Sequence, residues 1–219
     1  MSHEDEIREL HRELVDLHGK PDDTGDTDGV EQLVATILSQ NVADENTARA
    51  MDNLLSEYYS FKEVENVSVE ELADVIRPAG LPQTKAERIH NALEMVREET
   101  GGEYTLSFLD EYPTDEAQEW LEQIHGVGPK TANVVLSFHF EKPAMPVDTH
   151  VHRLSERFDL IPENTSNETA HDLLNERTPD DIKYDAHMLL IDHGREYCSA
   201  RNADCDNPVC ERFCDCEYC

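Results

Sequence analysis

The sequence predicts an all-α protein. Three observations carry that prediction. Apolar residues recur at spacings of three and four through most of the chain, and strict apolar–polar alternation is scarce. Polar or Gly/Pro-containing segments such as KPDDTGDTDG (20–29) and PAGLPQ (78–83) separate the periodic runs.

The elements follow in order. Residues 4–18 place Ile7, Leu10, Leu14 and Leu17 on one stripe. VEQLVATILSQ (30–40) reads as a buried helix, and 43–58 as a second, with Ala43, Thr47, Ala50, Met51 and Leu54 in register. Helices are expected at 68–77 and 84–100, then at 115–124, where Thr114 after Pro113 is the expected cap and Asp115 and Glu116 sit in the first turn. A glycine hairpin leads into a helix at 129–139, with further helices near 148–157, 167–174 and 180–194. No internal repeat is visible.

At 219 residues the chain can form one large domain or two small ones with ample core. No apolar run approaches the roughly 18 residues of a membrane span. The start, MSHEDEIREL, lacks the apolar stretch of a secretory signal. A cytoplasmic protein, associated with the nucleoid if it acts there, is therefore expected. All six cysteines lie in the last segment, CSARNADCDNPVCERFCDCEYC. Disulfide frameworks belong to small secreted domains, so a metal site is the expected use of these thiols.

The formal net charge is -31, from 49 acids and 18 bases, six of the bases being Lys. Such a bias along a whole chain points to a cell interior of very high salt, where the Debye length falls to about 3 Å at 1 M. It argues against a nucleic-acid partner unless it is relieved locally. Residues 125–154 supply that relief. They hold two acids, Glu141 and Asp148, against Lys130, Lys142 and Arg153.

The stretch LEQIHGVGPKTANVVLSF (121–138) is the most informative. Gly126 and Gly128 flank Val127 in a turn expected to favour glycine at both places, and Pro129 suits the first position of a new helix. Backbone N–H groups at such a helix start can hold phosphate without reading sequence. Lys130 and Thr131 follow in the first turn. Lys130 is either a phosphate contact or a nucleophile able to form a Schiff base. Downstream, PAMPVDTHVHRL (143–154) carries Asp148, which can cap a helix or serve catalysis, and His150, a DNA contact or a buried hydrogen-bonded ring.

GVGPKTANVV followed by VDTHVHR resembles the endonuclease III group of helix-hairpin-helix (GPD) DNA glycosylases. The separation of 18 residues between Lys130 and Asp148 matches that group, as do TILSQNVADEN (36–46) and AGLPQTKAERI (79–89). The resemblance covers nearly the whole chain, and the acidic bias points to a halophilic archaeon as its source. The resemblance implies two helical lobes, 28–140 with the hairpin, and 1–27 plus 141–219 with a cluster loop at 198–216. It implies a monomer that acts on double-stranded DNA holding a damaged base or an abasic site, with no membrane partner. The implied reaction removes an oxidised pyrimidine and cuts the strand by β-elimination, with Lys130 as nucleophile and Asp148 assisting. Adenine glycosylases fit less well, because the position of their catalytic glutamate falls near the apolar Ala35. A glycosylase for mismatches or other lesions, or a non-catalytic hairpin module, is the alternative. An amide matching the LSQN segment fills the gap left by the flipped base, and Gln40 and Asn41 are both candidates. Gly126, Val127, Gly128 and Thr131 are expected at DNA phosphates, with Arg201 adding a contact and a monovalent cation at the hairpin.

The same group carries a C-terminal [4Fe–4S] cluster on C-x6-C-x2-C-x5-C. Here Cys198, Cys205, Cys210 and Cys216 fit that pattern except that the middle gap is four residues, with two inserted around Asn207–Pro208. Zinc is the second choice, since four thiolates suit either. Cys214 could replace Cys210 or Cys216, and Cys219 could substitute for a ligand.

Overall fold

The computed structural model describes residues 3–22, 28–201 and 203–214. The described α-helices are α1 (His3–His18), α2 (Gly29–Ser39), α3 (Asp44–Glu57), α4 (Phe61–Asn66), α5 (Val69–Val75), α6 (Pro82–Thr100), α7 (Thr114–Glu122), α8 (Pro129–Phe138), α9 (Thr149–Arg157), α10 (Asn167–Arg177), α11 (Lys183–Glu196) and α12 (Pro208–Phe213). The only β-pairing among the described residues is an isolated antiparallel bridge between Cys198 and Ala203. No described helix is long and apolar enough to cross a membrane. The chain divides into two compact units, Gly25–Glu141 and Met1–Thr24 with Lys142–Cys219.

In the Gly25–Glu141 unit, α2 is the central element. Its apolar run buries Val30, Leu33, Val34, Ile37 and Leu38, because α3, α6 and α8 all pack on it. Burying each such side chain stabilises by about 2 kcal/mol. Asp28 starts α2, its Oδ1 accepting from the N–H groups of Val30 (2.9 Å) and Glu31 (3.2 Å). Packing α2 against α8 carries the end of α2 to the hairpin between α7 and α8. The helix α4 lay below the reach of periodicity, being a six-residue turn started by the Ser60 cap. At α7 the expected cap is corrected: Pro113 occupies the cap position, Thr114 lies inside the helix, and no side chain caps it. Pro113 has the extended backbone a cap needs, and no N–H of its own to satisfy.

In the other unit, α1 lays Ile7, Leu10 and Leu14 against a core that includes Leu154, Leu174, Leu189 and Leu190, with Leu17 packed at its edge. The run expected at 180–194 divides into a 3-10 turn, Asp180–Ile182, and α11. Asn207 and Pro208 start α12. Asn207 Oδ1 accepts from the Cys210 N–H (2.9 Å), and Pro208 takes the first turn.

Candidate active site

The hairpin runs from the end of α7 at Glu122 to Pro129, the first residue of α8. Val127 is buried and its N–H closes the turn on Ile124 O (2.9 Å). Gly126 has φ +85, and a Cβ there would fall 2.4 Å from Arg88 Nε and 2.5 Å from its Cδ. Glycine is needed at this position twice over. Gly128 differs from the sequence expectation. Its φ is -112, open to any residue, and a Cβ there would meet nothing within 4 Å. The space beside the Gly128 backbone is therefore open. No side chain caps α8, so its first N–H groups have no side-chain acceptor at the positive end of the helix dipole. Lys130 stands exposed in that first turn, and Thr131 is buried.

The amide pair at the end of α2 is separated by the backbone. Gln40 Nε2 donates to Gly126 O (3.0 Å) and Thr131 Oγ1 (3.3 Å), and its Oε1 accepts from Arg88. Gln40 therefore ties α2 to the hairpin. Asn41 is exposed with φ +57. A second loop residue shares this conformation: Leu81, at φ +45, is 68% exposed just before Pro82. A branched side chain in the left-handed region costs about 1–2 kcal/mol. The two loops adjoin. A Cβ on Gly80 would lie 3.6 Å from Val42 Cγ2, and the buried Lys85 ammonium donates to Leu38 O (2.7 Å), Gln40 O (2.9 Å) and Ala79 O (2.7 Å). Burial, with Arg88 nearby, pushes Lys85 down to about 8. At neutral pH it thus keeps three N–H donors for three carbonyls.

In the Lys142–Cys219 part of the other unit, Asp148 caps α9. Its Oδ1 accepts from His150 N and Val151 N, both at 2.8 Å, which leaves Oδ2 outside the cap. His150 is half-buried, and its Nδ1 accepts from Arg153 (3.1 Å). Burial, then the neighbouring Arg157, pulls Arg153 below its ordinary value. The guanidinium of Arg153 donates to Gly194 O (3.1 Å) and Cys198 O (2.9 Å), while Arg157 donates to Cys198 Sγ (2.8 Å) and Ser199 O (3.0 Å). One short helix thus carries Asp148 at its start and grips the first cysteine near its end. Cys210 is buried, with His193 Nε2 3.4 Å from its sulfur. His193 Nδ1 faces His18 Nε2 at 3.0 Å, and burial with His18 beside it pulls His193 down to about 4. A neutral His193 that donates to Cys210 would accept from His18. Arg201 is exposed. Cys205 is disulfide-bonded in the structure, and Cys216 and Cys219 lie outside the described residues. Among the described residues no three His, Cys, Asp or Glu side chains form a metal-binding group.

The model of the HhH-GPD superfamily base excision DNA repair protein matches residues 34–179, which include the hairpin, Lys130 and Asp148. The chain belongs to this superfamily. This HhH-GPD chain is similar to endonuclease III of Thermotoga maritima, 34% identical over 209 residues that cover 95% of the chain and 92% of that relative. It is 33% identical to endonuclease III of Escherichia coli over 185 residues, covering 84% and 82%. It matches the structure of a non-covalent endonuclease III–DNA complex with TM-score 0.82 at 28% identity, covering 98% of the chain and 96% of that one. A thermostable thymine-DNA glycosylase, 19% identical with TM-score 0.79, shares the fold. The HhH-GPD chain is thus a base excision repair enzyme of the DNA glycosylase class.

Three side chains that line these two loops and the hairpin are not marked by the sequence pattern. Arg88 and Lys85 lie on α6, where periodicity marks only a helix face. Leu81 left one signal, an apolar residue between Gly80 and Pro82 with no helical partner.

Proposed function

We propose that the chain is a bifunctional glycosylase that removes oxidised pyrimidines from duplex DNA and cuts the resulting abasic site through a lysine Schiff base. The observation that carries the reading is Lys130: an exposed amine in the first turn of an uncapped hairpin helix. Uncapped N–H groups at the start of α8 would hold the DNA backbone and bring this amine to a flipped nucleotide. The Lys130 Nζ attacks the sugar carbon as the base departs with the bonding electrons and gains a proton. Ring opening gives the imine. Loss of the adjacent carbon's proton then expels the 3′ phosphate. Asp148 Oδ2, outside the cap, would take the proton from the amine or face the positive sugar.

Asn41 suits the gap left by the flipped base better than Gln40, whose amide is occupied within its own unit. Leu81, exposed in the adjoining loop, would press on the opposite strand. A monovalent cation at the hairpin would draw on carbonyls other than Gly126 O, which Gln40 already uses.

Cys198, Cys210 and Cys216, with Cys205 once its disulfide is reduced to the thiol, would hold a [4Fe–4S] cluster. The donor chemistry fits: two buried thiols, one accepting from Arg157 and the other beside a ring nitrogen of His193, suit thiolate ligands. The group would brace the C-terminal segment against α9. Zinc is the alternative, and iron and sulfide analysis of the purified protein separates the two.

Duplexes holding thymine glycol, 8-oxoguanine or a T·G mismatch test the substrate class. Release of the oxidised pyrimidine with strand cutting is expected. Release of mismatched thymine alone, without cutting, would replace this reading with the mismatch alternative.

A further inference from the structure

We infer that Lys85 is a positioning residue, clamping the chain at Leu38, Gln40 and Ala79 so that Asn41 and Leu81 enter the duplex as one rigid unit. The inference rests on the glycosylase reading and adds a part to it.

The side chain is 2% exposed, and all three of its contacts are backbone carbonyls. A buried cation is costly, and an apolar side chain would serve core packing at less cost. What the ammonium supplies is geometry. Leu38 and Gln40 lie at the C-terminal end of α2, where carbonyls lack helical partners and the dipole favours a cation. Ala79 lies in the other loop. Three donors on one tetrahedral nitrogen fix these carbonyls relative to each other, and apolar contact cannot do this.

The clamped positions adjoin the two strained ones. The Gln40 carbonyl belongs to the peptide leading into Asn41 at φ +57, and the Ala79 carbonyl lies two residues before Leu81 at φ +45. Left-handed non-glycine residues persist only where their surroundings over-determine them. Here the surrounding is Lys85, with Val42 close enough to Gly80 that a Cβ there would lie 3.6 Å from its Cγ2. The result is an amide and an exposed leucine on neighbouring rigid turns, suited to filling a gap and parting a base pair.

The test uses the native chain and Lys85→Met on three duplexes: one with thymine glycol, one with a preformed abasic site and one undamaged. 2-Aminopurine opposite the lesion reports unstacking of the orphaned base. Lys85→Met is expected to slow base release roughly a hundredfold and abolish the unstacking signal, since small misplacements cost that much. Affinity for undamaged duplex, held by the hairpin, is expected to stay within about twofold, because none of the three carbonyls that Lys85 holds belongs to the hairpin. In an Asn41→Ala/Leu81→Ala background, Lys85→Met should have no further effect. Equal base release by native and Lys85→Met protein overturns the clamp, as does an effect that persists in that background or an equal loss in every readout. Should Lys85→Met not fold, Lys85→Gln keeps two donors. The cycle of Asn41→Ala and Leu81→Ala in native protein then decides: strong coupling supports one unit and additive losses overturn it. Native protein that releases no base fails the glycosylase reading, a result distinct from native activity unaffected by Lys85→Met.

Discussion

Gly126 and Gly128 look alike in the sequence, yet the structure separates them, and alanine at each should fail differently. At Gly126 the substitution forces an L-residue to φ +85, which costs about 1–2 kcal/mol. It also places a methyl 2.4–2.9 Å from the middle of the Arg88 side chain, not its flexible end. Arg88 must move, and its bond to Gln40 goes with it, a charged hydrogen bond of about 1.5–3 kcal/mol before relaxation. A total near 3 kcal/mol lowers the melting temperature by roughly 10 °C for a chain of this size. At Gly128 the methyl meets open space on an extended backbone, so stability should hold or rise by about 0.5 kcal/mol. DNA affinity should fall at Gly128 all the same, because the bare backbone there is where phosphate would approach. Calorimetry and fluorescence anisotropy on an abasic-analogue duplex read the two effects. A Gly128→Ala protein that binds as the native does, or a Gly126→Ala protein with unchanged melting, would refute the reasoning.

Three further outcomes follow. Asp148→Asn keeps a capping side chain, so melting should hardly move while base release falls by about 10²–10⁴; a native rate would reduce Asp148 to a cap. Lys85 sits at about 8 when folded against 10.5 ordinarily, so between those values the folded chain binds fewer protons than the unfolded one and gains stability as pH rises. The melting difference between native and Lys85→Met should therefore grow in favour of native from pH 8 to 10, and a shrinking difference contradicts the shift. With 49 acids and hairpin N–H groups doing the holding, the salt dependence of DNA affinity should correspond to fewer than about four phosphates; a steep slope would show a basic surface at work.

Much of the fold was legible because its helices carry long stripes. The Ile7–Leu10–Leu14 spacing predicts α1, and the run from Val30 to Leu38 predicts a buried α2. What stayed hidden was set locally by single caps or by tertiary placement. The short α4 and α12 depend on Ser60 and Asn207 rather than on periodicity. Lys130 and Asp148 stand out in the sequence through motif and spacing. Gln40 and Asn41 do not separate there, since both are amides and only the backbone turn between them decides which faces outward. Lys85 reads as an ordinary helical lysine until the ends of two loops are seen to converge on it. Cys216 falls outside the described residues, so the fourth expected ligand rests on spacing alone.

A lysine Schiff base requires the Lys130 amine to become covalently joined to DNA. Borohydride reduction during reaction with a thymine glycol duplex, followed by mass mapping of the adduct, tests it directly. One stable cross-link is expected, mapped to Lys130 and absent from Lys130→Ala. No cross-link with a chain that cuts the duplex, or an equal cross-link after Lys130→Ala, would contradict it.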